Sequence, residues 1–303
     1  PRPSNGASWC NRLASRRSDA GTVMKVGWIG LGHIGAPMAR RVLDAGFALS
    51  LWARRQDAAD ALRAAGAGWC DDDLQLARDS DIVCTCVGGP GDVAELHTRL
   101  MPQARPGTLF IELSTAAPRS AEISAALARQ HGLQLLDAPV SGGVAGAGNG
   151  TLSCFVGGPA DALALGRPLL ATFSQRIVPC GEAGAGYRTK LVNQTMIAGV
   201  LLGLAEGATL ARAAGIDAGT LQDALGDGSA RGFLFDAYLP RMMGGAGPVS
   251  FSLGLLRKDL RLARDEARSH GLHTRLLDTA LSALDEACTR HGEAAGVQML
   301  AAG

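Results

Sequence analysis

The sequence predicts an α/β protein: a doubly wound parallel sheet, then a long interdomain helix, then an all-helical second domain. From Met24 to about Val178, short apolar runs alternate with stretches of helical periodicity, the pattern that parallel strands and their crossover helices produce. A glycine fingerprint, Gly30-Leu31-Gly32-His33-Ile34-Gly35, stands where the first strand would turn into the first helix. Beyond Gly186 the alternation stops and only helical periodicity remains.

The elements follow in order. Val26 to Gly30 and Ala48 to Trp52 are apolar runs of strand length, with a helix from His33 to Ala45 between them. Ala58 to Ala65 reads as helix, Asp81 to Val87 as strand and Val93 to Met101 as helix. Thr108 to Leu113, Arg119 to His131 and Leu133 to Leu136 continue the alternation. Leu152 to Val156 and Arg176 to Val178 extend the sheet, with a helix over Ala160 to Thr172. Tyr187 to Ala214 reads as one long helix, and everything from Asp217 onward is helical. Residues 24–183 therefore form the sheet domain, and 184–303 the connecting helix with the helical domain.

Composition narrows the function classes. With 303 residues, 47% hydrophobic and 19% charged, the chain is long and apolar enough for two folded domains. A net charge of +1, without a basic block among aromatics, offers no footing for nucleic acid. No run approaches the roughly 20 uninterrupted apolar residues of a membrane span, so no membrane partner is expected. The seven cysteines show no C-x-x-C pair and no zinc spacing. They read as reduced thiols in a cytoplasmic protein without a metal site. Residues 1–23 are rich in Arg and Ser, hold one acid (Asp19) and show no period. They read as a disordered extension ahead of Met24, or alternatively as a targeting presequence.

The fingerprint is a Rossmann-type dinucleotide site. Its first glycine permits the turn, the second admits a pyrophosphate, the third lets helix and strand pack, and the helix N-terminus faces the phosphates. Leu31, His33 and Ile34 fill the turn between them. At the end of the second strand Trp52-Ala53-Arg54-Arg55 offers two guanidinium groups where an NAD site usually has an acid, which favours NADP with NAD as the alternative. The other reading of Arg54 and Arg55 is a solvated turn. Val87-Gly88-Gly89-Pro90 and Glu112-Leu113-Ser114-Thr115 each follow a strand's carboxyl end and would line the groove beside the cofactor.

Two further segments carry chemistry. Asp137-Ala138-Pro139-Val140-Ser141-Gly142-Gly143 sets a hydroxyl and two glycine amides where a carboxylate could enter, unless it is simply a mobile glycine-rich loop. Lysine fills three of the twenty-nine basic positions, and two of those lysines lie well inside the fold. Lys190 precedes Asn193 and Gln194 by three and four residues, so the three share a helical face able to hold an alcohol or carbonyl oxygen. Arginine cannot trade protons near neutrality and a buried lysine can. Lys258 heads Lys258-Asp259-Leu260 in the second domain.

These blocks, in this order, resemble the β-hydroxyacid dehydrogenases, the family of 3-hydroxyisobutyrate dehydrogenase, tartronate semialdehyde reductase and the glyoxylate/succinic semialdehyde reductases. The resemblance runs from Met24 to about Ala267. It implies that Ser141, Gly142 and Gly143 anchor a small carboxylate substrate, that Lys190 is the acid/base, and that Asn193 and Gln194 orient the substrate. Ser114 or Thr115 would lie near the nicotinamide, with Phe251 covering the substrate and Lys258 the cofactor. Many members place Asn where Gln194 stands. The related 6-phosphogluconate dehydrogenases carry His at the position of Asn193, and imine-reducing relatives lack the lysine. The expectation is an NAD(P)-dependent 3-hydroxy acid dehydrogenase or semialdehyde reductase acting as a homodimer or homotetramer. The alternative is a non-catalytic dinucleotide-binding sensor or scaffold.

Overall fold

The computed structural model describes residues 24–244, 247 and 249–302; the extension expected over residues 1–23 lies outside the described residues. Contacts divide the chain into two units, one ending at Tyr187 and the other starting at Arg188.

The first unit opens with β1 (Lys25–Ile29), α1 (Gly35–Asp44) and β2 (Ala48–Trp52). A 3-10 turn and α2 (Asp60–Ala64) then lead to β3 (Gly68–Trp69) and α3 (Asp73–Asp79). Next come β4 (Ile82–Thr85), α4 (Pro90–Leu100), β5 (Leu109–Glu112), α5 (Pro118–Gln130) and β6 (Gln134–Asp137). β7 (Val140–Ser141), α6 (Gly143–Asn149), β8 (Leu152–Gly157), α7 (Ala160–Leu170) and β9 (Ser174–Gly181) complete it. The sheet order is β3-β2-β1-β4-β5-β6-β8-β7, with β9 on β8. Its first six strands are parallel, and the order reverses direction at β1 and β4, so their carboxyl ends open the crevice where such sheets bind ligands.

The sequence reading of a wholly parallel sheet needs one correction: β8 runs antiparallel to both β6 and β7. The seven-residue α6 between β7 and β8 is too short for the crossover of a dozen or more residues that parallel pairing requires. The short β3 and α3, too brief to carry a period, also escaped the sequence reading. α3 is held by its cap, since Asp72 accepts from Leu74 N at 2.9 Å.

Alternate strand residues enter different cores. Trp28, Cys84, Ile111 and Leu136 pack on one face, and Ile29, Val83, Phe110 and Leu135 on the other. Both faces are covered by helices, so the strands read as continuous apolar runs. Trp28 meets Phe173 edge to face with ring centroids 6.2 Å apart. The second face ends at the carboxyl edge in a polar row, where Thr85, Glu112 and Asp137 are register partners on β4, β5 and β6.

The second unit is helical. The long helix α8 (Ala185–Ala213) is followed by α9 (Ala218–Leu225), α10 (Phe233–Met242), α11 (Leu253–Ser269) and α12 (Arg275–His291). Asp217 caps α9 through Thr220 N at 3.0 Å, and Ser252 caps α11 through Leu255 N at 3.3 Å. Leu201, Ala205 and Ala208 of α8 join Leu239, Leu256, Leu260, Leu281 and Leu284 in one core. By length and composition α8 would also cross a membrane, with a mean hydropathy of 1.4 over 18 residues, a signal that counting uninterrupted apolar runs missed. Its buried stripe instead supplies this core, while Val192, Met196, Val200 and Leu210 remain exposed.

Candidate active site

The glycine fingerprint folds as strand, turn and helix, each glycine for its own reason. Gly30 sits at φ +98°, and a Cβ there would stand 2.1 Å from the Cys86 carbonyl oxygen. A Cβ on Gly35 would stand 2.2 Å from the Gly30 oxygen, so this position is needed for helix–strand contact. At Gly32 a Cβ would meet nothing within 4 Å. The backbone is bare there on its solvent side, as an approaching phosphate requires. α1 starts with no acid in its first turn and no side-chain cap at Ile34, leaving its amides and dipole for an anion. Leu31 is buried behind the turn and His33 is exposed on it. These features fit a dinucleotide pyrophosphate.

Arg54 and Arg55 follow β2 on the surface, and Arg54 Nη1 lies 3.9 Å from Asp92 Oδ1. That distance is a loose pairing in water, worth little against a phosphate ligand. At the ends of β4 and β5, Val87 N donates to Ser114 Oγ at 2.8 Å, and Ser114 N donates to Glu112 Oε1 at 2.8 Å. Ser114 is thereby fixed at both its amide and its hydroxyl, with the half-buried Thr115 next to it.

Ser141 ends the short β7, and Gly142 and Gly143 take φ +134° and +66° at the entry to α6. Such angles favour glycine, and a Cβ at Gly142 would also press within 2.9 Å of Leu152. The segment is thus a turn from a strand into a helix. Asp137, three residues before β7, accepts from Gly184 N at 2.8 Å and Tyr187 N at 2.9 Å. It anchors the first turn of α8. Burial raises its carboxyl to about 6, against the lowering effect of those amides.

In the second unit Lys190 is 8% exposed. Burial lowers its amine to about 8; Asp259 opposes that shift and Lys258 adds to it. Asn193 Nδ2 donates to Gln194 Oε1 at 3.0 Å, and Gln194 Nε2 donates to Asp259 Oδ2 at 2.8 Å. Lys258 Nζ lies 2.8 Å from Asp259 Oδ1. The structure therefore sets Gln194 and Lys258 on one buried carboxylate, joins Asn193 to it through Gln194, and brings Lys190 within reach of its charge. Gln194 spends both ends of its amide on neighbours, so it braces Asn193 rather than presenting a free group. Phe251 is half-buried against the helical core.

Sequence reasoning named Glu112, Asp137 and Asp259 only as members of their segments and gave none of them a role of its own; all three are buried. The available signal was an acid closing an apolar strand at Glu112 and Asp137. On α11 it was an acid one residue before the buried Leu260.

Residues 25–181 match the family model described as the NAD binding domain of 6-phosphogluconate dehydrogenase. Residues 184–302 match that described as NAD-binding of NADP-dependent 3-hydroxyisobutyrate dehydrogenase. The chain is 38% identical over 269 residues to an NAD-dependent L-serine dehydrogenase of Pseudomonas aeruginosa, covering 85% of this chain and 90% of that protein. It superposes on Mycobacterium tuberculosis 3-hydroxyisobutyrate dehydrogenase with L-serine at a TM-score of 0.83 and 30% identity, covering 93% and 99% of the two chains. Psf3 in complex with NADP+ and 2-OPP gives 0.86 at 30% identity, with 91% and 99% covered. The chain belongs to the β-hydroxyacid dehydrogenase family and is a nicotinamide dinucleotide-dependent oxidoreductase.

Proposed function

We propose that the protein catalyses reversible hydride transfer at the carbinol carbon of a small β-hydroxy acid or the matching semialdehyde acid, with Lys190 as acid/base. The observation that carries this is Lys190 itself: a nearly inaccessible amine, brought to about 8 by burial, in a chain with three lysines among its twenty-nine basic residues. A bound nicotinamide supplies the hydride acceptor in oxidation and the donor in reduction. In oxidation the neutral Lys190 amine takes the hydroxyl proton as the C–H bond gives up its electron pair. In reduction its ammonium returns that proton to the carbonyl oxygen. An amine near 8 populates both forms close to neutral pH, as a general acid/base must.

Asn193 holds the substrate oxygen in this reading, with Gln194 fixing its amide. Ser141, Gly142 and Gly143 take the carboxylate, and Phe251 gives the substrate an apolar wall. Ser114 and Thr115 border the nicotinamide, while Lys258 and the Gly30–Gly35 turn hold the cofactor. NADP is the preferred form, supported by Arg54 and Arg55 with no carboxylate at the end of β2. L-serine is the first substrate to test, supported by the name of the Pseudomonas relative and by the ligand of the Mycobacterium structure.

A second copy of the chain covers α8, whose exposed face carries Val192, Met196, Val200 and Leu210 beside the bare backbone of Gly203 and Gly207. Nucleic acid and membrane are not partners in this reading. The compartment is cytoplasmic, supported by free thiols at the six described cysteines.

A panel of short hydroxy acids and semialdehydes, assayed with NADPH and NADH side by side, tests the substrate and the cofactor. Lys190→Ala should lower kcat by about 10²–10⁴-fold while cofactor affinity changes little. A variant that turns over at the wild-type rate removes the assignment.

A further inference from the structure

The carboxyl edge of the sheet holds a buried titratable pair that no step above uses. Glu112 closes β5 with no exposed surface, and His97 on α4 is 2% exposed. Glu112 Oε2 lies 3.3 Å from His97 Nε2 and accepts from Thr85 Oγ1, while Oε1 accepts from Ser114 N at 2.8 Å. His97 Nδ1 lies 2.9 Å from Ser124 Oγ on α5, and its ring meets Phe110 edge to face at 6.1 Å. One carboxylate thus joins β4 to β5 and lies beside His97, which bonds α4 to α5 through Ser124.

Packing alone does not account for it. The preceding residues on this face, Val83 and Phe110, are apolar, and a buried acid is costly unless its bonds are used. What Glu112 adds is direction. Its bond to Ser114 N sets the loop after β5, and Ser114 Oγ in turn accepts from Val87 N in the loop after β4. Moving the carboxylate would move both loops together.

We infer that Glu112, bonded to Thr85 beside the buried His97, is a positioning residue that sets the loops after β4 and β5 around the nicotinamide end of the cofactor. This rests on the functional reading above, in which Ser114 and Thr115 border the nicotinamide. Misplacement by about 1 Å from a group remote from the chemistry costs about 10²-fold in rate, so the effect is measurable.

The test uses the full chain with Glu112→Ala, Glu112→Gln and Thr85→Val. Three quantities are read: kcat, affinity for NADPH or NADH by nucleotide fluorescence, and affinity for the corresponding ADP-ribose, which lacks nicotinamide. Glu112→Ala should lower kcat by about 10- to 100-fold and weaken the reduced cofactor several-fold, with ADP-ribose affinity held within about twofold. Glu112→Gln keeps an acceptor for Ser114 N and should recover part of the rate; Thr85→Val should show a smaller loss of the same kind. If Glu112→Ala does not fold, the other two variants decide on the same readouts. An active wild type whose folded variants all stay within about twofold in kcat overturns this inference alone. So does an ADP-ribose affinity that falls as far as that of the reduced cofactor, since that marks general damage to the domain. A wild type that binds neither nicotinamide cofactor overturns the functional reading and this inference with it.

Discussion

Gln194 Nε2 donates to Asp259 Oδ2 at 2.8 Å, joining α8 to α11 across 65 residues of chain. The bond gives the acid a place in the site, because the same carboxylate pairs with Lys258 and acts on the Lys190 amine. Lys190 thus sits between an acid that favours its ammonium form and a second cation that disfavours it, with burial the largest influence.

Neutralising either neighbour should move the pH profile in opposite directions. Asp259→Asn should shift the break in kcat for alcohol oxidation to lower pH, and Lys258→Met should shift it to higher pH. The wild-type break is expected near 8, with oxidation rising and carbonyl reduction falling as pH increases through it. Initial rates from pH 6 to 10 in both directions check this. Breaks moving the same way in both variants would contradict the assignment of Lys190 as the titrating group.

Lys190 also costs stability. Its pKa is lower in the folded chain than in the unfolded one, so the folded state is favoured most above the unfolded value of about 10.4 and loses that advantage as pH falls through about 8. Lys190→Met should therefore be more stable than wild type at pH 7, by up to about 3 kcal/mol, with the gain vanishing above about pH 10. Denaturant unfolding at the two pH values measures it. Such a variant would be firmer and inactive, a trade expected at a catalytic position.

The three fingerprint glycines should separate folding from binding. Gly32→Ala meets no atom within 4 Å, so its Tm should stay near wild type while cofactor affinity falls by about tenfold or more. Gly30→Ala and Gly35→Ala place a methyl against backbone oxygens at 2.1 and 2.2 Å, and should lower Tm sharply. Thermal melts with and without cofactor distinguish the two outcomes.

Asp137 gives a second pH signature of opposite sign. Its carboxyl is raised in the fold, so the stability it confers is complete below the unfolded value of about 3.9 and is lost as pH rises through about 6. Wild type should lose up to about 3 kcal/mol relative to Asp137→Asn between pH 4 and 7. At low pH the variant should be the weaker of the two, because an amide nitrogen facing Gly184 N or Tyr187 N cannot accept, whereas both oxygens of the protonated carboxyl still can. A stability difference that stays flat across that range would remove Asp137 as the titrating group.

Features written within about ten residues were legible before any coordinates. The Gly30–Gly35 turn needs only a strand before it and a helix after it. Lys190, Asn193 and Gln194 share a face by helical spacing alone. The long α8 and the helical second unit follow from periodicity in the same way. The reversed β8 was less legible, because apolar content marks a strand without giving its direction.

The pairings of the buried acids came from the folded chain. Glu112 meets Thr85 and His97 from 27 and 15 residues away, His97 meets Ser124 from 27, Asp137 meets Gly184 from 47, and Asp259 meets Gln194 from 65. Strand register and helix packing set those encounters, and local spacing carries no record of them. The residue string names the chemical groups and their near neighbours. Distant contacts choose which carboxylate faces which donor, and burial then sets how readily Lys190 gives up its proton.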